Sequence, residues 1–505
     1  MYNGAEITFM NLYEKYTNHL KRVADISYAS AVLNWDQETY MPENGAEQRA
    51  SQLSTLSGIA HELFIAKDFG EVLNQLMNDS SLDEIQIRNV IQTKLTYDRS
   101  TKLTKEHVEE LALSISQAFQ AWQNAKTNNR FEEFAPHLRR LVELKRKECE
   151  WIGYHEHPYD AMLDEYEPGL TVKQLDQLFA DVRVDLVPYV RQLTAHPVPE
   201  IKWMNKHYPK DAQWHLSLDI LHKIGFDFNS GRQDISMHPF TINFGAQDVR
   251  VTTKIDENDL ADCLTGTIHE AGHALYEQGL KAAAYGTPEG EATSLGIHES
   301  QSRLWENQVG RSEAFWKALL PDVLKRLGES ANGITPKDFT RELNVVQPSL
   351  IRISADELTY HFHIMVRYEI EKELFEGKLD VNDIPAKWNG AYKSYLNVDV
   401  PDDARGCLQD VHWSHGSFGY FPTYSIGSFY AAQLYHAAQQ QIPELEEEIV
   451  NGNFSPLLNW LRTNIHQHGK LYSADELCKR ITGETLSFSY FMNYAKHKYD
   501  QLYRQ

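Results

Sequence analysis

Apolar residues recur at helical spacing along most of the 505-residue chain, in stretches from Thr8 to Asn34, Glu84 to Lys126, Phe131 to Gly153, Val172 to Thr194 and Ser349 to Glu376. A repeat of three and four residues turns one side of each stretch toward a core, so the pattern predicts a mostly α protein. One segment departs from it. Phe240, Ile242 and Phe244 alternate with other residues, Gly245 to Asp248 suit a turn, and Val249, Val251, Thr253 and Ile255 alternate again. A period of two on both sides of a turn predicts a β-hairpin, whose edge could pair with an extended peptide. Directly afterwards, Leu260, Leu264, Ile268, Ala271 and Leu275 form one helical stripe, with Asp256 and Asp259 as N-terminal caps and Gly279 as a stop.

The other side of that helix carries the chemistry. His269-Glu270-Ala271-Gly272-His273 places two histidines one turn apart, together with Thr265 and Tyr276 and away from the stripe. Imidazoles at i and i+4 can bind one metal ion, and the Glu between them is placed to act on a water there. The ordinary alternative, two core histidines satisfied by hydrogen bonds, explains neither the Glu nor the opposed faces. A third ligand is needed. A metzincin would have Gly at 276 and His at 279, where this chain has Tyr276 and Gly279. Of the downstream carboxylates, Glu277 continues the same helix, Glu289 and Glu291 lie in a loop containing Gly and Pro, and Glu299 falls in the next helical segment. A rigid element holds a ligand best, which selects Glu299.

Composition narrows the setting. No Pro/Gly/Ser-rich linker divides the chain, so a single domain over residues 1–505 is expected. Cys149, Cys263, Cys407 and Cys478 lack metal-ligand spacing and read as reduced core thiols. A net charge of -22 argues against nucleic acid as a partner. Without a signal peptide or a long apolar run, the expectation is a cytoplasmic protein with no membrane contact.

Several separated motifs carry a resemblance. Trp35-Asp36, Met41-Pro42 with Gly45, Pro158-Tyr159-Asp160 and Tyr166-Glu167-Pro168-Gly169 lie upstream of the histidines. Around and beyond them stand His238-Pro239-Phe240, Asp248-Val249-Arg250-Val251-Thr252, His298-Glu299-Ser300-Gln301, Ile351 to Asp356 and Gly406 to Trp413. In this order they resemble the M32 metallocarboxypeptidases, the family of carboxypeptidase Taq. The resemblance implies a homodimeric, mainly helical fold similar to angiotensin-converting enzyme and neurolysin. It implies a deep groove, with the N-terminal helices as one wall and a zinc site near residues 238–424. It also implies removal of single C-terminal residues from peptides, and it independently supports Glu299 as ligand. One departure stands out: thermolysin-like enzymes place an acid four residues after the ligand Glu, where this chain has Arg303. Asp356 or a backbone carbonyl is then the expected partner for a zinc histidine.

Roles follow from chemistry and resemblance together. Zinc with three protein ligands and an open position suits peptide hydrolysis, with Co2+ or Mn2+ as possible substitutes, and Glu270 is the expected general base. By its alignment with the transition-state tyrosine of the angiotensin-converting-enzyme group, Tyr424 is the expected oxyanion donor, with Tyr420 as its rival and His412 as a second donor. A free C-terminal carboxylate calls for an Arg fork, and Arg352 is preferred over Arg250. The ordinary reading of Arg352 is an i, i+4 pair with Asp356 on a helix. Arg250, His238, Gln409, Asp410 and Tyr420 complete the substrate-binding set. The alternatives are a zinc oligopeptidase or dipeptidyl carboxypeptidase on the same scaffold, and a non-catalytic helical binding protein with a vestigial site.

Overall fold

Capping chemistry decides where the helices begin and end. The computed structural model describes residues 11–196 and 201–503. Val172–Thr194 has the predicted bounds, because Thr171 accepts from the Gln174 N–H while the Gln174 side chain accepts from the Thr171 N–H. Phe131–Ile152 stops at Gly153, whose φ of 86° ends the helix.

Three predicted stretches are corrected. The first helix runs Leu12–Thr39 from an Asn11/Glu14 capping box; residues 8–10 lie outside the described residues. The stretch from Glu84 to Lys126 is two helices, Glu84–Ser100 and Lys105–Asn128, because Thr104 caps the second through the His107 N–H. Of the stretch from Ser349 to Glu376, only Tyr360–Glu376 is α-helical, preceded by the 3-10 turn Arg352–Ser354. Asp356 accepts from the N–H groups of Leu358 and Thr359 and so ends the irregular segment.

The predicted hairpin exists as β2 (Thr241–Asn243) and β3 (Val249–Thr253), after β1 (Gly231–Ile235). The strand order is β1-β3-β2, with β1 parallel and β2 antiparallel to β3. The pattern missed β1, since Gly231-Arg232-Gln233-Asp234 neither alternates nor favours a strand. It is held by its pairing with β3 and by Gln233, which donates to Ser217 Oγ at 2.6 Å.

The stripe Leu260, Leu264, Ile268, Ala271 and Leu275 is buried, and the helix spans Leu260–Gly279 from an Asp259 cap. Asp256 instead shapes the preceding turn by accepting from the Asn258 N–H. Tyr276 is also buried, so the side opposite the stripe is covered by other elements except near the histidines. A second, small core of Tyr16, Leu20, Phe69, Leu73, Leu76 and Val90 joins the N-terminal helices to one another. They meet the body through Tyr285, whose hydroxyl donates to Asp25 at 2.9 Å, and through Arg250, 4.4 Å from the Trp35 ring centroid. No helix among the described residues is long and apolar enough to cross a membrane.

Candidate metal and active site

The helix Leu260–Gly279 packs against the helix Leu295–Arg303 closely enough to bring three donors together. At Gly272 a Cβ atom would lie 2.6 Å from the Gln301 carbonyl oxygen, so the approach requires glycine. Across it, atoms of His269, His273 and Glu299 lie within 4.8 Å of one another. Glu299 Oε2 is 3.5 Å from His273 Nε2 and 3.9 Å from His269 Nε2. The other candidate acids are elsewhere: Glu277 pairs with His298, Glu289 with Lys281, and Glu291 is exposed in its loop.

Each donor is oriented from behind. His269 Nδ1 donates to Glu306 Oε2 at 3.0 Å. Glu306 lies on a π-helical segment, Leu304–Gly310, that widens the end of the Glu299 helix. Arg303 donates through Nε to Glu299 Oε1 at 2.6 Å and through Nη1 to Glu306 Oε2 at 3.1 Å, and Arg311 donates to Glu306 Oε1 at 2.9 Å. Burial opposes ionisation of Glu299, but Arg303 and His269 overcome it and hold its carboxyl far below the usual range. Burial also acts against charge on His269, yet Glu299 and Glu306 leave it raised. His273 is pushed down to about 3 by burial and by His298 beside it. A neutral imidazole keeps the lone pair that a metal needs.

Glu270 is buried, and Thr241 of β2 donates to its Oε2 at 2.7 Å. Burial raises its carboxyl above the ordinary value, while His269 and the Thr241 hydroxyl pull the other way. The hairpin's contribution to the site is therefore a hydroxyl on Glu270.

A second group of residues continues from the carboxylates. Tyr360 lies between two arginines: Arg303 sits 4.6 Å from its ring centroid, and Arg352 Nη1 donates to its hydroxyl at 3.0 Å. Arg352 is buried and pairs with Asp410, Nη2 to Oδ1 at 2.8 Å and Nε to Oδ1 at 3.1 Å. Gln409 accepts from the Arg352 backbone N–H at 2.9 Å. Arg352 also lies 5.0 Å from the Tyr424 ring centroid, and the Tyr424 hydroxyl is 3.4 Å from His412 Nε2. Tyr420 packs on Tyr424 with ring centroids 5.3 Å apart. Burial, with the Glu299 charge among the lesser causes, raises both phenols and keeps them protonated as donors. His412 is lowered to about 3 by burial and is neutral.

Comparisons with known proteins decide what this arrangement belongs to. The family model for carboxypeptidase Taq (M32) metallopeptidase matches residues 15–499. The chain belongs to the M32 metallocarboxypeptidase family. It is 40% identical over 499 residues to carboxypeptidase 1 of Bacillus subtilis (strain 168), covering 98% of this chain and 99% of that one. It is 38% identical to thermostable carboxypeptidase 1 of Thermus thermophilus, covering 97% of this chain and 99% of that protein. The crystal structure of the M32 carboxypeptidase from Deinococcus radiodurans R1 superimposes with a TM-score of 0.96 at 38% identity, over 98% of this chain and 100% of that one. The chain is a metallopeptidase of the carboxypeptidase type, with a mostly α fold and a small sheet.

Within this M32 fold two expected interactions are replaced. Arg352 pairs with Asp410 rather than Asp356, because it lies in the 3-10 turn before the helix. Asp356 supports neither His269 nor His273, since its carboxylate is occupied by Leu358, Thr359 and Gln347. Glu306 fills that place. Arg250 forms a two-point pair with Asp248, and its guanidinium lies 4.4 Å from the Trp35 ring centroid. His238 is exposed in the loop between β1 and β2. Thr241, Glu306 and Tyr360 were not foreseen, and Glu277, weighed as a ligand, holds His298 instead. Glu306 had a sequence signal, since residue i+7 returns to the face of Glu299 after two turns. Thr241 and Tyr360 come from different elements and had none.

Proposed function

We propose that this M32 enzyme is a zinc carboxypeptidase that removes single residues from the free C-termini of peptides, with broad tolerance for the terminal side chain. The carrying observation is the convergence of His269, His273 and Glu299 beside a buried Glu270. Two imidazoles and one carboxylate, with no thiolate, suit zinc at a catalytic site and also admit Co2+ or Mn2+. Zinc bound there supplies a Lewis acid that acidifies a water and polarises the scissile carbonyl. Glu270 takes the proton from that water and delivers it to the leaving amine. Tyr424 donates to the developing oxyanion, Tyr420 and His412 support it, and neutral His412 has one ring N–H to give.

Arg352 receives the substrate's terminal carboxylate. Its guanidinium has five N–H groups; Asp410 and Tyr360 engage three of them and leave two. Gln409 and Asp410 set its position, and Arg250 and His238 shape the substrate path near the sheet. The chain acts as one domain over residues 1–505, with the N-terminal helices as one wall of a groove, and it works as a cytoplasmic homodimer. Four buried cysteines outside any disulfide support a reducing compartment.

Mass spectrometry of an unblocked peptide ladder tests this reading. Stepwise loss of C-terminal residues is expected, abolished by chelator and restored by zinc. The C-terminally amidated peptide should resist; equal cleavage of both forms would overturn the carboxylate clamp.

A further inference from the structure

The Asn307 carbonyl lies where the helix carrying Glu306 gives out. In regular continuation it would accept from the N–H of Arg311 or Ser312, but both turn back to the Val309 carbonyl. A buried carbonyl without a partner is costly, and this one is met from another element. The C-terminal helix Phe488–Tyr503 presents Tyr494 and Lys498, one turn apart on one face. The Tyr494 hydroxyl donates to the Asn307 carbonyl at 2.8 Å, and Lys498 Nζ donates to it at 3.3 Å. Lys498 also donates to the Tyr494 hydroxyl at 2.9 Å and to Glu357 Oε2 at 2.7 Å. All three ammonium N–H groups are thereby used. Glu357 accepts further from the Tyr499 hydroxyl at 2.9 Å, which returns the network to the same helix.

Glu306 is the adjacent residue, and its carboxylate orients His269. A shift of the π-helical segment would move that carboxylate directly. We propose that Tyr494 and Lys498 are positioning residues of the metal centre: they fix the Asn307 carbonyl, and through it they set Glu306 against His269. The C-terminal helix thus acts on the metal without touching it. This inference rests on the reading of His269, His273 and Glu299 as the metal site.

The test is zinc affinity of the full-length enzyme, measured by competition with a chromogenic chelator, and the visible spectrum of the Co2+-loaded protein. Tyr494→Phe and Lys498→Met should each weaken zinc binding by about tenfold and shift the cobalt bands, toward the low end of what loss of a ligand's support costs. Lys498→Arg, which keeps charge and donors, should recover part of the loss. Tyr490→Phe, on the same helix but bonded to the exposed Glu484, is the control and should change neither. A double-mutant cycle of Tyr494→Phe with Glu306→Gln should be strongly non-additive, since both act through one contact. Variants with lowered melting temperature but wild-type zinc affinity and cobalt spectrum would overturn the proposal. So would an additive cycle. If the wild type bound no zinc, the underlying metal reading would fail instead.

Discussion

His298 Nδ1 lies 2.6 Å from His273 Nδ1, and His298 Nε2 lies 2.7 Å from Glu277 Oε1. The proton positions follow from the carboxylate. Glu277 can only accept, so His298 carries its hydrogen on Nε2 and offers a lone pair at Nδ1. His273 must then carry its hydrogen on Nδ1, which leaves its Nε2 lone pair facing Glu299. The chain Glu277, His298, His273 thus sets the tautomer that a metal ligand needs.

Removing the anchor should release that tautomer. Glu277→Ala is expected to weaken metal binding by roughly 10–100-fold, whereas Glu277→Gln, whose amide oxygen still accepts from His298, should lose much less. Chelator competition measures both. Equal affinities for wild type and the Ala variant would count against the relay.

Glu270→Gln should separate metal binding from chemistry. The ligands stay in place, so metal content by atomic emission is expected to match wild type. Loss of the base should cut kcat/KM by about 10²–10⁴. Hydrolysis at wild-type rate would exclude Glu270 from this role.

Gly427→Ala probes how tightly Glu299 is held. A Cβ at Gly427 would lie 2.6 Å from Glu299 Cβ and Cγ, and neither side can retreat because both helices are buried there. Overpacking of this kind costs about 1–3 kcal/mol. The variant should melt at lower temperature and bind metal more weakly; an unchanged metal affinity would show that Glu299 does not depend on this contact.

Glu167 should make stability depend on pH near neutrality. Its buried carboxyl accepts from the Gly296 N–H at 2.8 Å and the Ser294 hydroxyl at 2.9 Å, at the start of the Glu299 helix. Burial raises it to about 7 despite these bonds. The folded state therefore holds the proton more tightly than the unfolded chain, whose Glu titrates near ~4.3. The resulting stability is complete below about pH 4 and is lost as pH rises through about 7, by an amount on the order of 3 kcal/mol. Glu167→Gln, which carries no titrating proton, should lose less stability than wild type between pH 5 and pH 8. Parallel melting curves across that range would refute the assignment.

Much of the site was legible because it depends on spacing within one helix. His269, Glu270 and His273 share a face by the geometry of 3.6 residues per turn, and the buried stripe from Leu260 to Leu275 needed only periodicity. The hairpin was equally local. Glu299 could be chosen for its place on a second helix, but its distance from His273 required that helix to pack against the first. Other features are set by packing between distant segments. The chain from Ser349 to Glu376 carries a helical pattern throughout, yet Asp356 holds the Leu358 and Thr359 N–H groups ahead of a helix that starts only at Tyr360, and the 3-10 turn gives Arg352 to Asp410 instead. No local rule pairs residues 58 positions apart.

By itself the sequence determined the mainly helical class, the hairpin, the helix that carries His269, Glu270 and His273, and the types of residue available to the site. Each of these depends on neighbours along the chain, through backbone sterics and hydrophobic period. Only the tertiary structure decided which carboxylate supports which histidine, that Arg352 pairs with Asp410, and that the C-terminal helix reaches Asn307. These are hydrogen bonds between groups brought together by burial, and their partners depend on how whole elements pack.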